Sequence, residues 1–268
     1  LKESKVQVRR ALADMLGGGE PGELDPMLIE RACGQIDASL DKTYGGFDEP
    51  PKFPQPAGLE ILFDAALDSE EEIKSKRASY LLDFTLNAMS RGGLYDHLGG
   101  GFFRNVIDAD WTVPNFEKML FDNGQLLSLF ARRARHTGAP WLREVAHRTA
   151  DWILREMQHD NGGICASLNS DIEGEQGEYY VWTRDDLAVA LGDGYDAIAT
   201  HYIHSERPNF ERKWHLRLAG PPADQEDWQD NPVADLPSVA GLLKLREKRE
   251  RPDRNDKILT AWNALGIR

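Results

Sequence analysis

The chain is 268 residues long, 41% hydrophobic and 29% charged, with 7 Trp, 7 Tyr and 10 Phe, the profile of a globular chain with enough apolar side chain for a sizeable core. Its net charge of −13, from 32 basic and 45 acidic residues, excludes a nucleic-acid backbone as the main partner, because like fields repel. No stretch is apolar for the length of a membrane span and no secretory h-region opens the chain, while Cys33 and Cys165 are isolated thiols without a C-x-x-C pair. A reducing cytoplasm is therefore the expected compartment, with no membrane partner and neither redox motif nor zinc knuckle. Nothing in the pattern calls for a metal or cofactor.

Helical periodicity dominates the first 160 residues. Asp25-Pro26 reads as a cap followed by Pro at the first helical position, with Leu28, Ala32, Ile36 and Leu40 at helical spacing behind it. A second stripe is Leu59, Leu62, Phe63 and Ala66. The third helix is predicted to start near Asp68-Ser69, with Glu70, Glu71 and Glu72 favouring its dipole, and to run through Ala78, Leu81, Leu82, Thr85 and Met89. The fourth carries Phe116, Met119, Leu120, Asn123, Leu127, Phe130 and Ala134, with Arg132, Arg133 and Arg135 read as a solvated face. The fifth carries Leu142, Val145, Thr149, Ile153 and Met157. Short strands are expected within Gly100–Ile107 and Gly177–Trp182, and Thr183-Arg184-Asp185-Asp186 reads as the cap of a further helix. Prolines and lost periodicity make 204–237 irregular, before helical pattern returns at Val239–Lys248 and Lys257–Leu265.

The connections alternate in character. Thr137-Gly138-Ala139-Pro140 is a short turn, whereas Tyr44–Pro56, Arg91–Pro114 and Asn161–Trp182 are long and marked by glycine pairs. Short turns on one rim and long loops on the other suit a ring of helical hairpins, so the expected fold class is an all-α, (α/α)6 toroid with short β-hairpins in its long loops. A continuous α-solenoid is the alternative. In the toroid the long loops converge at one mouth, where function would sit.

Two loops carry candidate chemistry. Arg91 to Lys118 holds Tyr95, Asp96, His97, Arg104, Asp108, Asp110, Trp111 and Glu117, the mixture of carboxylate, Arg and aromatic face that a sugar site needs. Glu117, just past Pro114, is expected in the first turn of a helix, where a carboxylate is favoured as the anion. The second loop brings Asp171, Glu173, Glu175 and Glu178 within eight residues, which suits an acid–base pair or a divalent cation, although no EF-hand register is present. Plain structural roles compete with each: capping for Glu117, a satisfied core histidine for His97, a solvated acidic loop for 171–178.

The stretches YGGFDEPPKFPQP, RGGLYDHLGGGFFRNVIDADWTVPNFEKMLFDNGQLL, GEQGEYYVWT and NDKILTAWNAL resemble the helical portion of the thioredoxin-domain-containing, spermatogenesis-associated protein 20 type of family over nearly the whole chain. The resemblance implies a six-hairpin toroid similar to N-acylglucosamine 2-epimerases and glycoside hydrolases, preceded by a thioredoxin-like domain. Residues 1–268 are then expected to be a partial toroid lacking that domain and the last hairpins, with exposed apolar faces that favour a homo-oligomer. The chain departs from the family pattern at Phe103 and Asn115, where histidines are usual, and at Asn169 and Gln176, where acids are usual. The departures disfavour a two-histidine epimerase mechanism drawn from this loop and leave His97 and His215 as candidates.

The resulting expectation is a carbohydrate-active domain, epimerase/isomerase or glycosidase, acting on a carbohydrate or related small molecule. Glu117, Asp110, His97 and Asp171 are the catalytic candidates. Tyr95, Asp96, Arg104, Trp111, Glu173, Glu175, Trp262 and Asn263 are the substrate-binding candidates. The alternative is a non-catalytic sugar-binding or protein-interaction module.

Overall fold

A computed structural model of the chain describes residues 5–7, 9, 25, 27–67, 71–202, 207–218 and 237–267. Among them the architecture is mostly helical, with short antiparallel strands in the long connections. The Asp25 carboxylate accepts the Met27 amide at 2.8 Å ahead of α1 (Leu28–Ala38). The predicted stripe of α1 engages only in part: Leu28 is exposed, while Cys33 and Ile36 lean on the core and Leu40 is buried beyond the helix. α2 (Pro56–Leu67) buries its whole stripe of Leu59, Leu62, Phe63 and Ala66. α3 (Glu72–Arg91) turns Ala78, Leu81, Leu82, Thr85 and Met89 inward. The Asp68-Ser69 start proposed for it, with Glu70, lies outside the described residues.

α4 (Leu120–Thr137) begins four residues later than Phe116, where the periodicity placed its first apolar residue. The preceding segment is extended instead: β2 (Pro114–Asn115) pairs with β1 (Asn105–Val106), and β3 (Lys118–Met119) pairs with β4 (Ser167–Leu168). The Leu120 amide is taken by the Ala166 carbonyl at 2.9 Å, so the helix starts where the ladder ends. Its far end follows the sequence reading, with Gly138 left-handed at φ 75° and Pro140 opening α5 (Pro140–Trp152). A π-helical turn, Ile153–Met157, continues α5.

The arginine cluster on α4 is not a solvated face. Arg133 is 3% exposed and forks onto Asp83 of α3 at 2.6 and 2.7 Å, and Arg132 pairs with Glu60 of α2 over the Phe63 ring. Two of the three arginines therefore stitch α4 to its neighbours, while Arg135 stays exposed.

Two expected strands also differ. Gly100–Ile107 contributes β1 and two isolated bridges, Tyr95–Phe102 and Lys52–Val106. In 177–182 the chain turns instead of extending, because Gly177 is left-handed (φ 73°) and the Tyr180 and Val181 amides bond back to its carbonyl. The hairpin lies just upstream, as β5 (Asp171–Ile172) and β6 (Glu175–Gln176). The cap at Thr183 is reciprocal with Asp186 and opens α6 (Arg184–Leu191), and α7 (Tyr195–Tyr202) follows one 3-10 turn later. Within 204–237, described residues 207–218 form turns and bridges without a helix. α8 (Pro237–Arg246), β7 (Arg254–Asn255) and α9 (Thr260–Ile267) complete the order.

α2 packs on α3 and α4 on α5, and α4 is also flanked by α2 and α9. The α4–α9 approach is backbone against backbone: a β-carbon on Gly124 would stand 2.7 Å from the Gly266 Cα. β3, β4 and β7 form one sheet, with Met119 opposite Ser167 and Ser167 opposite Asn255. β3 runs straight into α4, and four residues separate β7 from α9, so this small sheet gathers the N-terminal ends of two neighbouring helices.

Candidate functional site

The loop between α3 and α4 has an inner and an outer side, and they divide the predicted residues. The inner side is organised around Asp96, whose carboxylate takes Lys118 Nζ at 2.7 Å, Arg246 at 2.8 and 2.9 Å, and the Leu98 and Gly99 amides. Burial alone would raise this carboxyl, but Arg246 and Lys118 hold it well below the usual carboxylate range. The Lys118 ammonium, buried under Phe103, Trp152 and Tyr180, is pushed down to about 8. Asp96 is thus the centre of a buried ion-pair cluster.

Tyr95, His97 and Trp111 are also buried, correcting their assignment to a cleft. Tyr95 packs between His97 and Phe102. Trp111 adopts φ 58° and donates its indole N–H to the Tyr44 and Gly45 carbonyls at 3.0 and 3.2 Å, closing the Arg91–Pro114 connection onto the Tyr44–Pro56 one. His97 Nε2 bonds the Gly92 carbonyl at 3.0 Å and His215 Nε2 bonds the Gly93 carbonyl at 2.8 Å. Consecutive carbonyls therefore bring together two histidines 118 positions apart (215 minus 97), which sequence alone did not join. Burial pushes them to about 3 and about 4, so both are neutral at physiological pH. Phe103 fills the space beside His215, edge-on to Phe116 and Tyr180, and Asn115 sits in the β1–β2 ladder opposite Asn105.

The outer side is open. Arg104 donates to Glu117 at 2.8 Å, with side chains 44% and 30% exposed, and the Arg104 amide bonds the Glu117 carbonyl. Glu117 lies between β2 and β3, not in a helical turn, so it pairs with Arg104 and does not cap a helix. Asp108 accepts the Thr112 and Val113 amides at 2.7 and 2.6 Å. Burial raises its carboxyl, and neighbouring Asp110 adds to that. Asp110 reaches Arg217 at 3.8 Å.

The second acidic loop packs beside this face through Tyr180, whose ring stacks on Phe116. Asp171, Glu173 and Glu175 are exposed on the β5–β6 hairpin, whose tip places Glu173 and Gly174 at positive φ, and Glu178 pairs with Lys213. Asn263 grips the Ile164 backbone with both amide atoms, at 2.9 Å each, which makes it a structural clamp. Trp262 is half-buried and meets the Phe121 ring edge-on at 4.9 Å, at the N-terminal ends of α9 and α4.

Sequence reasoning missed Asp122. It occupies the first turn of α4, next to Phe121, is 6% exposed and accepts no hydrogen bond from the described protein groups. Burial pushes its carboxyl up to about 7, against the pull of nearby Arg104. A signal was available, since Asp122 falls on the line of Leu126 and Leu129 (i, i+4, i+7), both fully buried.

Two grooves lie away from these groups. One of about 550 Å3 runs between α4 and α5 beside Ala131, Arg135, Ala146 and His147, and one of about 770 Å3 lies among α1, α2 and α3 beside Ile29, Cys33 and Ala78. Among the described residues no cluster of three or more His, Cys, Asp or Glu is placed to hold a metal, and no helix is long and apolar enough to cross a membrane.

The described residues are thus mostly helical, with short strands and an Arg104–Glu117 ion pair in the long connections. No family model matches the chain. It is 30% identical over 268 residues to human spermatogenesis-associated protein 20 and 35% identical over 272 residues to the mouse protein, each alignment covering 88% of this chain and 34% of the relative. An uncharacterized Caenorhabditis elegans protein is 25% identical over 298 residues, 100% of this chain and 41% of the relative. Over the aligned region the chain is homologous to these spermatogenesis-associated protein 20 proteins, the resemblance its motifs carry. It spans about a third of the length of the mammalian relatives it matches.

Proposed function

We propose that this chain is part of a carbohydrate-active domain, with its sugar site at the mouth where α4 and α9 begin. The observation that carries the reading is the exposed Arg104–Glu117 pair on the strand segment leading into α4, whose Phe121 meets the half-buried Trp262 of α9. A paired guanidinium and carboxylate offer donors and acceptors to hydroxyls, and an aromatic face offers a surface to the C–H side of a sugar ring. A ring of hairpins is part of this reading, and it is supported by α2, α4 and α9 lying side by side with α3 and α5 packed behind the first two. Catalysis in such a site falls to carboxyl groups, because His97 and His215 are locked on carbonyls in the core.

The test is a thermal-shift screen of the intact protein against a sugar library, repeated with Glu117→Gln. A sugar that raises the melting temperature of the parent and raises that of the variant less supports the reading. No shift with any sugar overturns it. The second reading, a non-catalytic binding or interaction module, is favoured by the burial of Tyr95, Asp96, His97 and Trp111 in structural roles. It predicts sugar or protein binding without turnover.

A further inference from the structure

On a chain with a net charge of −13, basic side chains at the surface readily find acids: Arg77 pairs with Asp37, Lys76 with Glu72 and Arg254 with Asp256. Arg135, Arg143 and His147 are exposed and pair with no acid among the described residues. The three stand together at the groove of about 550 Å3 between α4 and α5. The rest of the lining is apolar and small. Ala134 and Ala146 are buried in it, and Leu127, Ala131 and Ala150 continue it. Among the described residues no Asp or Glu lines the groove, so its charge is of one sign and opposite to that of the chain as a whole.

The shape narrows what fits. Along α4 the lining runs from Leu127 to Gly138, about 16 Å at helical rise, which is three turns of a partner helix. A furrow between two packed helices receives the side-chain ridge of a third, and an alanine floor lets its axis approach closely. Leu154, four positions past Ala150, is 63% exposed and extends the apolar row at helical spacing.

We propose that the α4–α5 groove docks an amphipathic helix of a partner protein, its apolar seam on the alanine floor and its acidic flanks facing Arg135, Arg143 and His147. The proposal goes beyond the sugar reading and is independent of it, because no lining residue belongs to the Arg104–Glu117 face. The seam supplies the adhesion through anchors at i, i+4 and i+7. The rim supplies the selection, since opposite charges steer the encounter and like charges repel. The same charges argue against a second copy in two-fold register, where this basic patch would face its own image.

The experiment measures binding of two labelled synthetic peptides to the intact chain by fluorescence anisotropy. Each has about 14 residues with Leu at helical spacing; one carries Glu on both flanks of the seam and the other Lys. The expected result is saturable binding of the Glu peptide, at least about tenfold tighter than the Lys peptide and weakened by salt. Arg135→Glu combined with Arg143→Glu reverses the preference, so the variant is read by a gain of Lys-peptide binding that an unfolded chain could not give. Should it fail to fold, Ala131→Trp decides: filling the groove from an exposed position, it abolishes Glu-peptide binding at an unchanged melting temperature. Equal binding of the two peptides, binding of neither, or a Glu preference that survives the double reversal or Ala131→Trp overturns the proposal. A parent dimer in sedimentation that Ala131→Trp dissolves also overturns it, by giving the groove to a second copy.

Discussion

Lys118 and Asp96 meet at 2.7 Å with neither side chain more than 3% exposed, and Arg246 closes the same carboxylate from a helix 150 residues along the chain. Three charges buried together are stable only as a set, because each removed partner strands the others in a medium that solvates them poorly. Asp96→Ala is expected to cost about 3–5 kcal/mol, and Lys118→Met a comparable amount. Urea unfolding of each variant measures it. A cost below about 1 kcal/mol for both would place the cluster outside the folding core.

Acid sensitivity follows from His97 and His215. Their folded values, about 3 and about 4, lie below the unfolded value of about 6.5, so the unfolded chain binds more protons and stability falls as pH drops from about 6.5 towards 4. Replacing either with Gln is expected to flatten that limb of the melting-temperature profile, whatever it does to absolute stability.

Asp122 acts in the opposite sense. Its folded value of about 7 exceeds the unfolded value of about 3.9, so it favours the folded state as pH falls from about 7 to 4 and opposes folding above about 7. Asp122→Asn is therefore expected to stabilise the protein at pH 8 by up to a few kcal/mol and to steepen the acid limb. Melting temperatures of parent and variant between pH 4 and 8 provide the comparison, and a variant destabilised at pH 8 would contradict the assigned protonation.

Gly124→Ala probes the α4–α9 crossing. The new methyl group would sit 2.7 Å from the Gly266 Cα, where no flexible side chain can give way, so a loss of about 1–3 kcal/mol is expected. Asn263→Ala, on α9, removes two hydrogen bonds to Ile164 and is expected to cost about 1–3 kcal/mol without changing ligand affinity. A specific loss of affinity at full stability would restore Asn263 to the binding surface.

The sequence made the helices readable where one-sided stripes end at strong punctuation, as at Gly138 and Pro140, and the reciprocal cap at Thr183 needed no tertiary information. The site was less legible for a physical reason. Tyr95, Asp96, His97 and Trp111 have the chemistry of ligand contacts, and their burial depends on partners far away in the chain: Arg246 for Asp96, the Tyr44 and Gly45 carbonyls for Trp111. Glu117 was placed in a helix because Pro114 commonly opens one, but the β1–β2 and β3–β4 ladders take the backbone first. Asp122 was overlooked because a first-turn aspartate is ordinary, and only its alignment with Leu126 and Leu129 sets it apart.

The three-stranded patch of β3, β4 and β7 also dictates an order of assembly. Its strands come from residues 118–119, 167–168 and 254–255, so the last arrives from the ribosome long after the first two, and α9 with Trp262 later still. Helix pairs such as α2 with α3 and α4 with α5 join neighbours in the chain and can form early. The α4–α9 contact cannot: a nascent chain that has reached residue 200 holds Phe121 but not Trp262, and the two rings meet only when α9 docks.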